Sequence, residues 1–222
     1  MTIELLTSGA LSAKMQMQID QELLDTLSSR TLPLLRTYSW QRKSITYGYF
    51  IDIDAYIDVE KAEQLGYDIA RRPTGGGLLF HGADFSFTLA LAASHPKFVC
   101  DIVKSYQVIN QALLRALQLP DAILHESEEK TYRHLCMATP TRYDLIWQKR
   151  KIGGSAQRRT KQGLIHQSSL FLQPPDWQEV GKIYRGPEVE IAAMQAHAAV
   201  FVPPKDLLHR FMKELESYFG AR

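Results

Sequence analysis

Arg71-Arg72-Pro73-Thr74-Gly75-Gly76-Gly77-Leu78-Leu79-Phe80-His81 runs from two arginines through a Pro-Thr turn and three glycines into an apolar segment ending in histidine. Glycine lacks the Cβ that keeps a ligand off the backbone and reaches positive φ freely. Three in a row therefore let amide N–H groups close around an anion. The adjoining arginines add fixed charge and forked donors suited to phosphate or carboxylate. A tight turn between two strands, flanked by surface arginines, is the plainer reading of the same residues. The stretch is not a P-loop, which ends in Gly-Lys-Ser/Thr. Nor is it the dinucleotide fingerprint, whose glycine spacing and following helix are missing.

Working outward, Lys151-Ile152-Gly153-Gly154-Ser155-Ala156-Gln157-Arg158-Arg159 lies downstream and leads into Gly163-Leu164-Ile165-His166-Gln167-Ser168-Ser169-Leu170. With the glycine run before them, these motifs resemble the lipoate/octanoate–protein attachment family, the catalytic module shared by lipoate–protein ligases and octanoyltransferases. That family carries Arg-Arg-x-Ser/Thr-Gly-Gly-Gly ending near a His, then Lys-x-x-Gly-Ser-Ala before a strand with a His-Gly-Ser/Thr-like segment. Weaker echoes occur at Met17 to Leu24 and Trp40 to Phe50, so the likeness covers roughly residues 10–172. It implies the biotin/lipoate ligase catalytic fold, related to class II aminoacyl-tRNA synthetases.

The pattern of elements is α+β: a mixed, largely antiparallel sheet flanked by helices. Helices are predicted over 12–28 with Met15, Ile19, Leu23 and Leu27 inward, over 59–65, over 101–118 and over 205–219. Asp20 and Glu22 fall off the first apolar stripe and read as solvated acids. A strand at 3–6 ends at Ser8-Gly9. Strands at 34–40 and 44–50 read as a pair divided by Gln41-Arg42-Lys43, and a half-buried strand runs from Phe80 to Leu91. Strands resume at 143–147 and 164–172.

The 222 residues, 45% hydrophobic and 23% charged, suit one catalytic domain spanning 1–222. Residues 173–222 form a variable C-terminal region with no room for a full accessory domain, which a separate protein would then supply. A net charge of +2 does not point to nucleic acid. No apolar run reaches the roughly 18 residues of a membrane span, and the N-terminus lacks a signal peptide's basic start and apolar core. Cys100 and Cys136, without a Cys-x-x-Cys motif, fit a cytoplasmic enzyme. The polar run 125–133 holds His125, Glu126, Glu128 and Glu129 beside His134. Their spacing matches no metal site, so none is assigned.

The resemblance assigns roles residue by residue. Lys151 is the cation at the reacting carbonyl, facing the ligand and not the core. Arg72, Thr74, Gly75, Gly76 and Gly77 hold the adenylate phosphate or donor carboxylate. His81 orients the acyl group or is satisfied by backbone. Gly154, Ser155 and Ala156 leave room for ligand, and Tyr47, with Trp40, lines an acyl slot or packs in the core. Attachment by an ATP-dependent ligase, through lipoyl-adenylate with lipoate, ATP and Mg2+ as co-substrates, is the leading reading because Gly77 stands where transferases tend to have Arg. The alternative is an octanoyltransferase fed by acyl carrier protein, with Cys136 of Cys136-Met137-Ala138-Thr139-Pro140-Thr141-Arg142-Tyr143-Asp144 as nucleophile. A non-catalytic lipoate-binding regulator is the third. The expected acceptors are lipoyl domains of 2-oxoacid dehydrogenase complexes or the glycine cleavage H protein.

Overall fold

The computed structural model describes residues 2–126 and 134–220. Its elements in chain order are β1 (Glu4–Leu11), α1 (Ala13–Asp25), β2 (Leu34–Trp40), β3 (Ser44–Tyr47), α2 (Val59–Gln64), β4 (Asp68–Arg71), β5 (Leu78–His81), β6 (Asp84–Ala92) and α3 (Ile102–Leu117). There follow β7 (Ile123–Leu124), β8 (Leu145–Trp147), β9 (Arg150–Lys151), β10 (Gly153–Thr160), β11 (Gly163–Phe171), α4 (Trp177–Ile183), α5 (Glu188–His197) and α6 (Leu207–Phe219). Among the described residues no helix is long and apolar enough to cross a membrane.

The expected α+β arrangement is present. A five-stranded sheet has the order β1-β2-β6-β11-β10. Only β1 and β2 in it are parallel. One face packs under α3 and α6, where Leu35, Phe87, Leu89, Leu113, Phe211 and Leu215 are fully buried. The other face meets α1, whose Leu23 and Leu24 pack on Leu34, Ala90 and Ile165. A three-stranded sheet, β4-β3-β5, carries the glycine run in the loop between β4 and β5. A third sheet, β7-β8-β9, delivers Lys151. The C-terminal region closes over it: Ala199 N–H donates to the Lys151 carbonyl at 2.8 Å.

Several expectations change. The predicted pair 34–40 and 44–50 does not pair. β2 is already flanked by β1 and β6, so the next strand has no free edge and joins the smaller sheet. The single strand expected over Phe80 to Leu91 is likewise two strands in different sheets, parted at Gly82-Ala83. β6 is buried on both faces, not half-buried, because Thr88 bonds Asp20 of α1 and Ser86 bonds Ser169 and Trp40 of the neighbouring strands. β1 continues past Ser8-Gly9 to Leu11, with a register break between Thr7 and Ala10 and Gly9 at φ +65°. Helix α1 is rotated from its predicted stripe. Met15 is exposed, whereas Gln16, Met17 and Asp20 face inward. The polar segment around Glu128 and Glu129 lies outside the described residues.

Candidate active site

Between the sheets lies a cleft whose open space, mouth included, is about 420 Å³. Arg72, Gly76, His81, Cys136, Gly154, Ser155 and Ala156 from the predicted set line it. Trp40 lines it too. Tyr47 does not. Neighbours on a strand face opposite ways, so Thr46 reaches the cleft, whereas Tyr47 packs into the small-sheet core with the Arg71 guanidinium 5.8 Å from its ring centre.

The glycine loop folds around a buried guanidinium. Arg72 donates from Nη1 to Thr46 Oγ1 at 2.9 Å and from Nη2 to the carbonyls of Gly75 and Gly77 at 3.1 and 2.9 Å. Gly76 sits at φ +92°, where a side chain would be strained. Thr74 turns away from the cleft and donates to Gln167 Oε1 at 2.6 Å. Gly77 does not touch the cleft either: a Cβ there would lie 2.0 Å from the His134 carbonyl oxygen.

That last contact joins two loops. His134 O accepts from Leu78 N–H at 2.6 Å, and Leu78 O accepts from Cys136 N–H at 2.9 Å. Cys136 is thereby fixed beside the glycine run, partly exposed and on the cleft wall. Its Sγ lies above Gly154, where a Cβ would approach to 2.9 Å. Lys151 is the peg of this second loop. Its Nζ donates to Cys136 O at 2.8 Å, reaches Asp144 Oδ2 at 2.7 Å and lies 3.4 Å from Thr139 O. Burial weakens its charged form, but Asp144 and then Cys136 more than offset this, so its pKa stands above the ordinary lysine value. Lys151 is only 2% exposed and does not line the cleft, so it is part of the buried structure and not the non-core lysine expected. The Asp144 carboxylate also accepts from Thr141 N–H at 2.6 Å, which is why the loop closes over the lysine.

His81 completes the cleft wall, its ring stacked on Trp40 with centres 4.0 Å apart. Its Nδ1 meets Asp84 Oδ2 at 2.6 Å and its Nε2 meets Thr46 Oγ1 at 2.7 Å. Burial, against the pull of Asp84, holds its pKa below the ordinary value. A neutral ring donating from Nδ1 accepts at Nε2, so the donors run one way: Arg72 to Thr46, Thr46 to His81, His81 to Asp84.

Behind the cleft, Asp20 is fully buried, which overturns its reading as a solvated acid. It accepts from Arg36 at 2.6 Å, Gln167 at 2.6 Å and Thr88 at 2.8 Å. Every partner is a donor, the arrangement a carboxylate demands, although burial pushes its pKa up. Sequence reasoning missed Asp20, Thr46, Asp84, Asp144 and Gln167. An acid whose partner lies far away in sequence carries no local signal. Among the described residues no group of three His, Cys, Asp or Glu side chains converges to hold a metal ion.

Comparison with known proteins adds a family. The model described as "Lipoyl protein ligase A/B catalytic domain" matches residues 12–206. Octanoyltransferase LipM of Staphylococcus epidermidis is 27% identical over 231 residues, covering 97% of this chain and 83% of that protein. Octanoyltransferase LipM of Staphylococcus aureus is 28% identical over 233 residues, covering 98% and 84%. Among solved structures, a lipoate-protein ligase A bound with ATP has a TM-score of 0.75 at 19% identity, over 98% of this chain and 85% of that one, a likeness of fold.

Proposed function

The chain belongs to the lipoyl protein ligase A/B catalytic domain family, and within it we propose that the protein is an octanoyltransferase. It takes octanoyl from the thioester of acyl carrier protein onto Cys136 and passes it to a lysine of a lipoyl domain. The observation that carries this reading is the position of Cys136: a partly exposed thiol on the cleft wall, over a glycine, in a loop pegged by Lys151. The preference for an ATP-dependent ligase rested on Gly77. That glycine is bare because the His134 carbonyl fills the space beside it, so it says nothing about the donor. Both staphylococcal relatives are named octanoyltransferases, while the likeness to the ATP-bound ligase extends to the fold.

Cys136 attacks as a thiolate, the nucleophilic form of cysteine. Arg72 is the cation that lines the cleft with it, while the Lys151 ammonium, paired with Asp144, pegs the loop through the Cys136 carbonyl. A bond forms from Sγ to the acyl carbon, the carbon–sulfur bond to the carrier breaks, and the carrier thiol leaves. A neutral lysine amine of the acceptor then attacks the new thioester. The amide forms, the bond to Sγ breaks, and the proton lost by the amine restores the Cys136 thiol. The thioester is already activated, so the ATP and Mg2+ expected of a ligase have no step here. The free cysteines fit the cytoplasmic location expected from the sequence.

The test is intact-mass analysis after mixing with octanoyl-acyl carrier protein and no acceptor. One octanoyl group should appear on the enzyme and vanish in Cys136→Ser, with transfer to apo lipoyl domain falling at least about a thousandfold, since a serine hydroxyl is far less nucleophilic. If Cys136→Ser retains normal transfer, and lipoate with ATP and magnesium is the productive donor, the ligase reading takes its place.

A further inference from the structure

Next to the cleft stand two aromatic side chains that the fold leaves in water. Tyr49 is 43% exposed and Phe50 81%, and their rings meet edge to face at 5.1 Å. The pair is anchored: Tyr49 N–H donates to the Thr74 carbonyl at 2.9 Å, and Ile51 N–H to the Gly48 carbonyl at 3.0 Å. Gly48 itself lies so close to the glycine loop that a Cβ would come 1.9 Å from the Gly76 oxygen. The Arg158 guanidinium covers Tyr49 at 4.9 Å from the ring centre.

Alternate residues of a strand share a face, so Gly154, Ala156 and Arg158 form one track along β10. The track starts under Cys136 Sγ, passes the cleft wall at Ala156 and ends at the aromatic pair. Four strand residues span about 13 Å. Exposure rises along it, from buried Gly154 to half-buried Ala156 and Arg158, so the cleft opens towards the pair. Arg71 is exposed and leans on Tyr47, two residues from Tyr49. Two acids, Asp52 and Asp54, follow the pair and are also exposed, and the Asp54 backbone carbonyl accepts from Arg185.

We propose that Tyr49, Phe50 and Arg158 form the docking surface for the protein that delivers the acyl group, an acidic carrier domain presenting its thioester on a long flexible arm. This rests on the octanoyltransferase reading. Aromatic and arginine side chains are the types that dominate protein interfaces when exposed together. The arginines give the patch fixed positive charge, complementary to an acidic partner. The separation from Sγ selects the donor over the acceptor. A lysine side chain does not cover the length of the track, whereas a carrier's arm does.

The experiment compares two octanoyl donors, octanoyl-acyl carrier protein and octanoyl-coenzyme A, by the rate of acylation of Cys136 in Phe50→Ser and Arg158→Glu. Expected is a KM for the carrier raised roughly tenfold or more, with kcat and the small-donor rate within about twofold of the parent. Arg158→Glu should also weaken the salt dependence of the carrier reaction. Equal losses with both donors would mean a merely structural role and overturn the proposal. So would an unchanged carrier KM with a raised KM for the lipoyl domain, which would make the surface the acceptor's. Failure of the unsubstituted protein to take acyl from either donor would instead remove the octanoyltransferase reading, and the docking surface with it.

Discussion

The two loops that meet over the cleft are each built on one buried cation, and they treat its charge differently. Lys151 holds the carbonyls of the cysteine loop and sits 2.7 Å from the Asp144 carboxylate. Arg72 holds the carbonyls of the glycine loop and a threonine hydroxyl, and among the described residues no carboxylate pairs with it. Burial accordingly pulls its pKa below the ordinary arginine value, opposed only by Cys136 and Tyr38. A paired charge projects little field, whereas an unpaired one in a low-dielectric cleft acts on whatever negative charge develops nearby. On the proposed octanoyltransferase reading, the comparison exchanges the roles drawn from the sequence: Lys151 serves as the scaffold of its loop, and Arg72 as the cation whose field reaches the reacting carbonyl.

The largest effect should come from breaking the pair. Lys151→Met leaves Asp144 buried and uncompensated, and should lower unfolding free energy by about 3–5 kcal/mol. Adding Asp144→Leu should restore most of that stability in urea titrations without restoring Cys136 acylation, because the loop loses its peg. A Lys151→Met protein as stable as its parent would show that the pair holds nothing.

Arg72→Gln should lower kcat for acyl transfer by about a hundredfold to a thousandfold. Its stability loss should be only about 1–3 kcal/mol, that of unpaired loop carbonyls. Should the change fall entirely on KM, Arg72 is a ground-state binder and the contrast between the cations fails.

His166 supplies a control outside both loops, with the smallest effect at neutral pH. It is fully buried on β11, and burial alone holds its pKa at about 3. An unfolded histidine titrates near 6.5. Between these values the unfolded chain binds a proton that the folded chain refuses. The stability present above about pH 6.5 therefore drains away as pH falls towards 3. His166→Gln should flatten that slope in acid unfolding followed by circular dichroism, and leave transfer at neutral pH within about threefold. An unchanged slope would place the acid sensitivity elsewhere.

The fold class was legible because the helices carry strong periodicity and the strands alternate. Sheet membership was not, since β2 and β3 look like a hairpin until the partners on both edges of β2 are known. The glycine and lysine motifs marked the right region for the same reason in each case: close backbone approach needs glycine wherever it occurs. What they approach was invisible. Gly77 makes room for His134, Gly154 for a sulfur, and Gly48 for Gly76, and none of these neighbours is near in sequence. Asp20 was misread because an acid on a helix is usually solvated, and the Arg36 and Thr88 that hold it belong to other elements.

The closure of the C-terminal region over Lys151 limits how this protein can be shortened. The last recognisable motif ends near Leu170, so the remaining fifty or so residues look dispensable on paper. Yet Ala199 pairs with Lys151, Arg150 donates to the carbonyls of Gln195 and Ala198, and Phe211 meets Phe87 at 4.8 Å beneath the main sheet. A truncation after Leu172 would uncover the core and unhook the strand that carries Lys151. The tolerant place for length variation is the exposed stretch around Val202, which is 90% exposed between the two packed parts. Lineages of this chain are free to lengthen or trim it there, while inheriting the helix beyond as a fixed part of the enzyme.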